Sequence, residues 1–442
     1  MRIGDGCKFV KICGDKCAMI EKFEKIWKIR AIRNKVLFVL SMLVAFRIMA
    51  HIPIPGVNIE ALRNYLAGNQ ILGLLNVFSG GTMQNFSIVM LGIAPYITSS
   101  IIFQLLGMIV PKLEELQKEG ESGRQKINMY TRLATVPLAF LQSFAMIRLL
   151  GSSGNQILGG ISSLQIFIIM MTITAGTILL MWIGELISEK SIGNGISLLI
   201  FAGIIAGLPT AMRNAIVNFT SNDIYTYVGF GAIAVLTVVG VVFISEGQRN
   251  IPVTYAKQMR GQKMYGGSST HLPLRVNMAG VIPIIFAISL ILFPPMIAQF
   301  FVNAQSAWLA GAAMWIIKIF QNQIVYGVLY FVMVFGFTYF YTAIVFNPEK
   351  IAENLQRQGG FIPGIRPGTE TRDYLQKTMN KINLTGATFL STIAVLPFIL
   401  QAALGTQSLA IGGTSLLIVV SVAIDIAKQI DAQITMYEYD HI

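Results

Sequence analysis

The sequence predicts an all-α integral membrane protein of ten transmembrane helices in two five-helix halves, and three observations predict it. Hydrophobic residues make up 54% and charged residues 12% of the 442, whereas soluble chains carry about 25% charge. Stretches without a charged side chain recur at spanning length. One of them, residues 64–111, runs for 48 residues, too long for one crossing and too short for two at about 20 apolar residues each.

Stretches free or nearly free of charge place the spans in order at residues 35–47, 86–110, 131–147, 165–184, 194–212, 225–245, 276–300, 324–346, 384–401 and 414–430. Ahead of the second span lies a leftover apolar piece: Ile71, Leu72, Gly73, Leu74, Leu75, Asn76, Val77 and Phe78, closed by Ser79, Gly80 and Gly81. About two helical turns cannot cross a hydrocarbon core of about 30 Å. Short backbone survives at membrane depth only where protein buries it or where it lines a watery cavity, so a short helix inside a cavity is expected. Five spans precede the loop at 213–223 and five follow, giving halves 19–212 and 213–442. An odd number per half permits an inverted repeat.

Of the 33 Lys and Arg residues, 28 fall in residues 1–35, in the loops 111–132, 246–275 and 347–381, and at Lys190 and Lys428. The positive-inside rule then puts both termini in the cytosol. The net charge of +12 follows largely from this topology, though three basic loops also suit an anionic partner such as ribosomal RNA. Alternation in 251–255 suggests a strand or hairpin within the loop 246–275. A helix is expected from Pro348 to about Arg357, with a stop at Gly359-Gly360 and a stiff PGIRPG turn. Residues 1–35 lack the apolar core of a signal peptide. Cys7, Cys13 and Cys17 all lie in that tail without CxxC spacing, which suits reduced thiols better than a metal site.

Catalytic motifs are missing. No GxxxxGK[ST] phosphate loop occurs, and the three histidines, His51, His271 and His441, form no HExxH. The Gly413-Thr414-Ser415 turn has no membrane histidine to activate its serine. Arg47, Glu185 and Asp425 are the ionisable groups within the spans, and all sit near helix ends, where snorkelling explains them. Asp425 and Lys428 are spaced for a local i, i+3 pair. No enzyme activity and no cofactor or metal is expected.

The spans contain isoleucine beside breakers. Ile93 and Ile97, flanking Ala94-Pro95-Tyr96, share one helix face, and Ile196 and Ile200 repeat that spacing in the fifth span. Either pair alone is ordinary packing. Two such pairs beside small or kinking residues in different helices suggest a constriction.

Long motifs then match a known family: FRIMAHIPIPGV at 46–57, LLNVFSGGTMQNFSIVMLGIAPYITSSIIFQLL at 74–106, IGNGISLLIFAG at 192–203, LPLRVNMAGVIPIIF at 272–286, GGFIPGIRPG at 359–368 and GGTSLLIVV at 412–420. From Met19 to the C-terminus the chain resembles the bacterial SecY protein-conducting channels. The resemblance implies ten helices in two pseudo-symmetric halves around a central pore, with a short plug helix. It implies translocation of unfolded secretory proteins across the bacterial cytoplasmic membrane and lateral release of transmembrane segments into lipid. The implied partners are the SecE and SecG subunits, the motor ATPase SecA, the ribosome and its RNA, unfolded precursor proteins and membrane lipids.

Carried over residue by residue, Ile93, Ile97, Ile196, Ile200, Ile285 and Ile418 correspond to the pore ring. The short piece from Ile71 to Gly81 corresponds to the plug. Thr98, and Asn277 and Phe293 in the seventh span, correspond to the lateral gate, where polar groups are expected to hold the closed seam by weak hydrogen bonds. Arg366 corresponds to the arginine that engages SecA and the ribosome, with Lys257, Arg260 and Lys263 as further contacts. Residues 1–18 are extra relative to the family, which points to Met19 as the start, and residues 436–442 lack its usual basic tail. An ion-coupled secondary transporter with inverted repeats is the alternative; it would place a charged or polar site at the midplane.

Overall fold

The computed structural model describes residues 27–67, 73, 76, 79–152, 162–190, 193–217, 224–255, 258–260, 263–265, 269–302, 306–404 and 412–440. The chain is mainly helical. Helices α1 (Arg30–Ala50) and α2 (Ile59–Ala67) are followed by α3 (Ala94–Ile109), α4 (Pro111–Lys118), α5 (Glu121–Ser152), α6 (Ser163–Glu189), α7 (Gly195–Val217) and α8 (Ile224–Glu246). Strands β1 (Gln248–Tyr255), β2 (Gln258–Arg260), β3 (Lys263–Tyr265) and β4 (Ser269–Arg275) come next. Helices α9 (Ile282–Phe301), α10 (Ala307–Gln321), α11 (Gln323–Val345) and α12 (Pro348–Arg357), strand β5 (Gly360–Phe361), and helices α13 (Thr369–Leu404) and α14 (Gly412–Asp440) complete the chain.

Local chemistry sets several boundaries. A helix leaves its first four N–H groups without intrahelical partners, and here asparagine side chains take them up. Asn194 Oδ1 accepts from Ile196 N at 3.0 Å before α7, Asn322 Oδ1 from Ile324 N at 3.0 Å before α11, and Asn347 Oδ1 from Lys350 N at 3.1 Å before α12. At α6 the reach is reversed, with Ser162 N donating to Gln165 Oε1 at 2.9 Å, half of a capping box.

The two large basic loops fold together. β1 pairs antiparallel with β4 from Gln248↔Arg275 to Thr254↔Ser269, and on its other edge with β5 at Tyr255↔Gly360. Alternation puts Ile251 and Val253 on one face of β1, where they pack with Leu274, Leu355, Ile362 and Leu375. The strand expected at 251–255 and the helix expected at 348–357 therefore belong to one small layered unit.

The second span differs from expectation. Residues 86–93 do not continue the helix; α3 starts at Ala94. Positive φ at Phe86 (43°) and Gly92 (57°) breaks the helical path. The freed backbone pairs elsewhere, with Ile54 N donating to Phe86 O at 2.9 Å and Ile88 N to Ile52 O at 3.2 Å. The seventh span likewise begins late, at Ile282 with a proline in its first turn. Helix α10 occupies residues that the charge pattern reads as an outer connection.

Among the described residues, three stretches are long and apolar enough to cross a membrane by length and composition: Glu121–Gly151, Ser163–Glu189 and Ile324–Arg357. A fourth qualifies if Ala94–Ile109 and Pro111–Gln117, bent by 104°, count as one. Helices from the first five predicted spans meet helices from the last five along two seams. In one, α9 packs on α3 and α5; in the other, α14 packs on α7. The largest apolar cluster lies between them.

Candidate functional site

The site is built around the segment that follows the leftover apolar piece. Of the residues expected to form the plug, Ile71, Leu72, Leu74, Leu75, Val77 and Phe78 lie outside the described residues. Asn76, Ser79, Gly80 and Gly81 form a tight turn. Asn76 O accepts from Gly81 N at 2.7 Å and from Ser79 Oγ at 3.0 Å, while Asn76 Oδ1 accepts from Gln84 N at 3.0 Å. Thr82, buried, donates its hydroxyl to Ser79 O at 3.0 Å.

Gly80 adopts φ +77°, a left-handed conformation natural only to glycine. It also touches the backbone of α7. A Cβ on Gly80 would lie 2.8 Å from Gly203 Cα and 3.2 Å from Phe46 Cζ, and one on Gly203 would lie 2.5 Å from Gly80 Cα. Two glycines therefore allow the turn to seat directly on a helix.

The six isoleucines come from four helices. Ile93 caps α3 and Ile97 follows one turn later, Ile196 and Ile200 sit one turn apart in α7, Ile285 is in the first turn of α9, and Ile418 is in α14. Five of them are buried members of the largest apolar cluster, and Ile196 packs against it. Branched apolar side chains offer no hydrogen bonds and few rotamers.

At the seam, Thr98 is buried but donates its hydroxyl to Ala94 O of its own helix at 3.0 Å. Asn277 lies before α9 rather than in it. Its Nδ2 donates to Gly280 O at 3.3 Å, and its buried Oδ1 has no hydrogen-bond partner among the described residues. Phe293 is partly buried in α9, just ahead of Pro294 and Pro295. The expected hydrogen bonds across the seam are thus not made by Thr98 or Asn277, because both side chains turn to local backbone.

On the sheet side, Arg366 is exposed while its backbone is fixed. Thr371 Oγ1 donates to Arg366 O at 2.8 Å, and Arg366 N donates to Glu370 Oε2 at 3.4 Å. Arg260 and Lys263 are directly opposed across the β2–β3 pair. Lys257, Cys7, Cys13 and Cys17 lie outside the described residues.

Of the ionisable groups expected near helix ends, Arg47 and Glu185 both meet protein partners. Arg47 is half-buried and donates from Nη1 to Gly80 O at 2.9 Å and from Nη2 to Gly203 O at 3.4 Å. Glu185 accepts from Arg132 Nε at 2.6 Å, joining α5 to α6. Lys428 closes on Glu246 at 2.9 Å, so its close contact links α14 to α8 instead of forming the local pair expected with Asp425. Among the described residues no group of three or more His, Cys, Asp or Glu could hold a metal ion. Arg47 was open to discovery from sequence only as a lone charge in the FRIMAHIPIPGV motif; its acceptors are 33 and 156 residues away.

A family model described as SecY matches residues 87–427. The chain belongs to the SecY family. Among SecY relatives, the protein translocase subunit SecY of Halalkalibacterium halodurans is 44% identical over 437 residues, covering 95% of this chain and 99% of the relative. The protein translocase subunit SecY of Mycobacterium bovis is 42% identical over 429 residues, covering 92% and 96%. In fold, the chain resembles a solved protein-conducting channel at TM-score 0.62 and 19% identity over 90% of this chain and 91% of the other. It also resembles Sec61 from a canine ribosome-channel complex of the endoplasmic reticulum at TM-score 0.58 and 18% identity, covering 90% and 91%. These SecY relatives lend no support to an ion-coupled transporter.

Proposed function

We propose that this chain is the channel subunit that passes unfolded secretory proteins outward across a bacterial cytoplasmic membrane and releases apolar segments sideways into lipid. The observation that carries this reading, beside family membership, is the convergence of Ile93, Ile97, Ile196, Ile200, Ile285 and Ile418 from four helices on one apolar cluster. A ring of such side chains dewets and blocks ions, yet holds no passing peptide by hydrogen bonds. Residues 71–81 are the plug that seals it.

Ten spans in two halves, 19–212 and 213–442, fit the charge-free pattern and an even helix count, with both termini cytosolic. The two seams, α9 on α3 and α5, and α14 on α7, suit a clam that opens at the α9 side, near Thr98, Asn277 and Phe293. Sorting is by partition. Each Leu or Ile favours the bilayer by about 0.3–0.6 kcal/mol, and each Lys, Arg or Asp opposes it by about 2.5–3.5 kcal/mol.

With no phosphate loop of its own, the chain takes its energy from a partner. The exposed Arg366, with Arg260, Lys263 and Lys257, forms the contact face for the SecA motor and the ribosome. SecE and SecG complete the membrane complex. Reconstitution in vesicles tests this: a secretory precursor should become protected from external protease only when channel, motor and ATP are together. Protection without the channel, or none with all three, would refute it.

A further inference from the structure

We propose that Arg47 is a positioning residue that latches the turn at residues 79–81 to helix α7, so that this turn cannot leave α7 until this one guanidinium lets go. The proposal rests on the reading of residues 71–81 as a plug. Arg47 lies in the last turn of the apolar helix α1, and its half-buried guanidinium turns onto protein. It bridges two backbone carbonyls on different parts of the chain, Gly80 O at 2.9 Å and Gly203 O at 3.4 Å. Those two glycines are in direct backbone contact, with a Cβ on Gly203 meeting Gly80 Cα at 2.5 Å. Phe46, the neighbour of Arg47, lies under Gly80, its Cζ 3.2 Å from where a Cβ would stand, and is itself 3% exposed.

The geometry separates two jobs. Absent side chains at 80 and 203 let the turn approach the helix; the fork-shaped, always-charged guanidinium then ties the two carbonyls with separate N–H groups. Hydrogen bonds to charged donors are stronger than neutral ones, and strengthen further away from water. Displacing the turn breaks the shorter of the two and leaves the half-buried Arg47 with the longer one alone. The latch therefore favours the turn seated on α7, and a translocating chain must supply the difference.

Ion efflux from vesicles holding the purified channel complex tests this with three proteins: Arg47→Met, a deletion of residues 69–78, and the two combined. Arg47→Met should raise resting leak roughly tenfold, the scale set by one charged hydrogen bond. The deletion should leak as well, and the combination should leak no more than the deletion alone, because a latch has nothing to hold once the plug is gone. Wild-type leak in Arg47→Met, or added leak in the deleted background, would overturn the latch while leaving the plug intact as a reading. A deletion that does not leak would remove the plug reading and the latch with it. If Arg47→Met does not accumulate, Gly203→Ala takes its place in the same comparison; if neither accumulates, the contact serves folding and the latch is refuted.

Discussion

Gly92 lies against Ser79: a Cβ added to Gly92 would stand 3.1 Å from Ser79 Cα, and Gly92 itself holds φ +57°. Ser79 belongs to the turn at 76–81, and Gly92 immediately precedes Ile93, the first of the clustered isoleucines. That turn and the start of the proposed ring are thus packed backbone to backbone. Gly92→Ala should cost about 1 to 2 kcal/mol from the left-handed backbone alone, and it should push Ser79 away. The expected outcome is a channel that assembles but melts earlier and leaks ions, read by thermal unfolding and vesicle efflux. Unchanged efflux would separate Ser79 from the seal.

Arg366 offers a cleaner cut between folding and function. Its backbone bonds involve Thr371 and Glu370, whereas its side chain is exposed. Arg366→Glu should leave the amount of channel in the membrane unchanged and lower motor-driven export on the order of tenfold, as loss of an interface charge does. Equal loss of channel and export would point to a folding defect instead.

The Arg132–Glu185 pair, at 2.6 Å with side chains 51% and 19% exposed, ties α5 to α6. A partly exposed pair contributes at most about 1 kcal/mol. Arg132→Gln and Glu185→Gln should each lower the melting temperature of the solubilised complex slightly, and the double variant should lose less than the sum. Strict additivity would show that the contact is not an energetic pair.

A hydrophobic constriction blocks ions because water withdraws from it. Ile93→Ser combined with Ile285→Ser should wet the waist and raise ion efflux, while Ile→Leu at the same positions should leave it near the wild-type level. Equal efflux in both variants would argue that these isoleucines are only core.

Sequence carried the fold where the signal is local. The helix Pro348–Arg357 starts where expected because Asn347 caps it and stops where Gly359 follows, and the alternation in 251–255 is a real strand because one face meets Leu274 and Ile362. It failed where distant chain decides. The second span was expected from residue 86, but residues 86–88 bond to 52–54 instead, a pairing that hydropathy cannot register. Helix α10 carries no apolar run of spanning length, because Lys318 and the polar residues at 321–323 interrupt it. Arg47 reads as a snorkelling charge until its acceptors on Gly80 and Gly203 are placed beside it. The isoleucine pairs were visible by spacing, whereas Ile285 and Ile418 came from family resemblance alone, since neither has an isoleucine four residues away.

The most direct test of the central claim is crosslinking of a stalled secretory precursor to single cysteines placed at Ile93 and at Ile285, which come from helices on opposite sides of the α3–α9 seam. A precursor passing through the waist should crosslink at both positions, and both adducts should vanish when the precursor is released. Failure at both positions in an export-competent channel would contradict a route through this cluster.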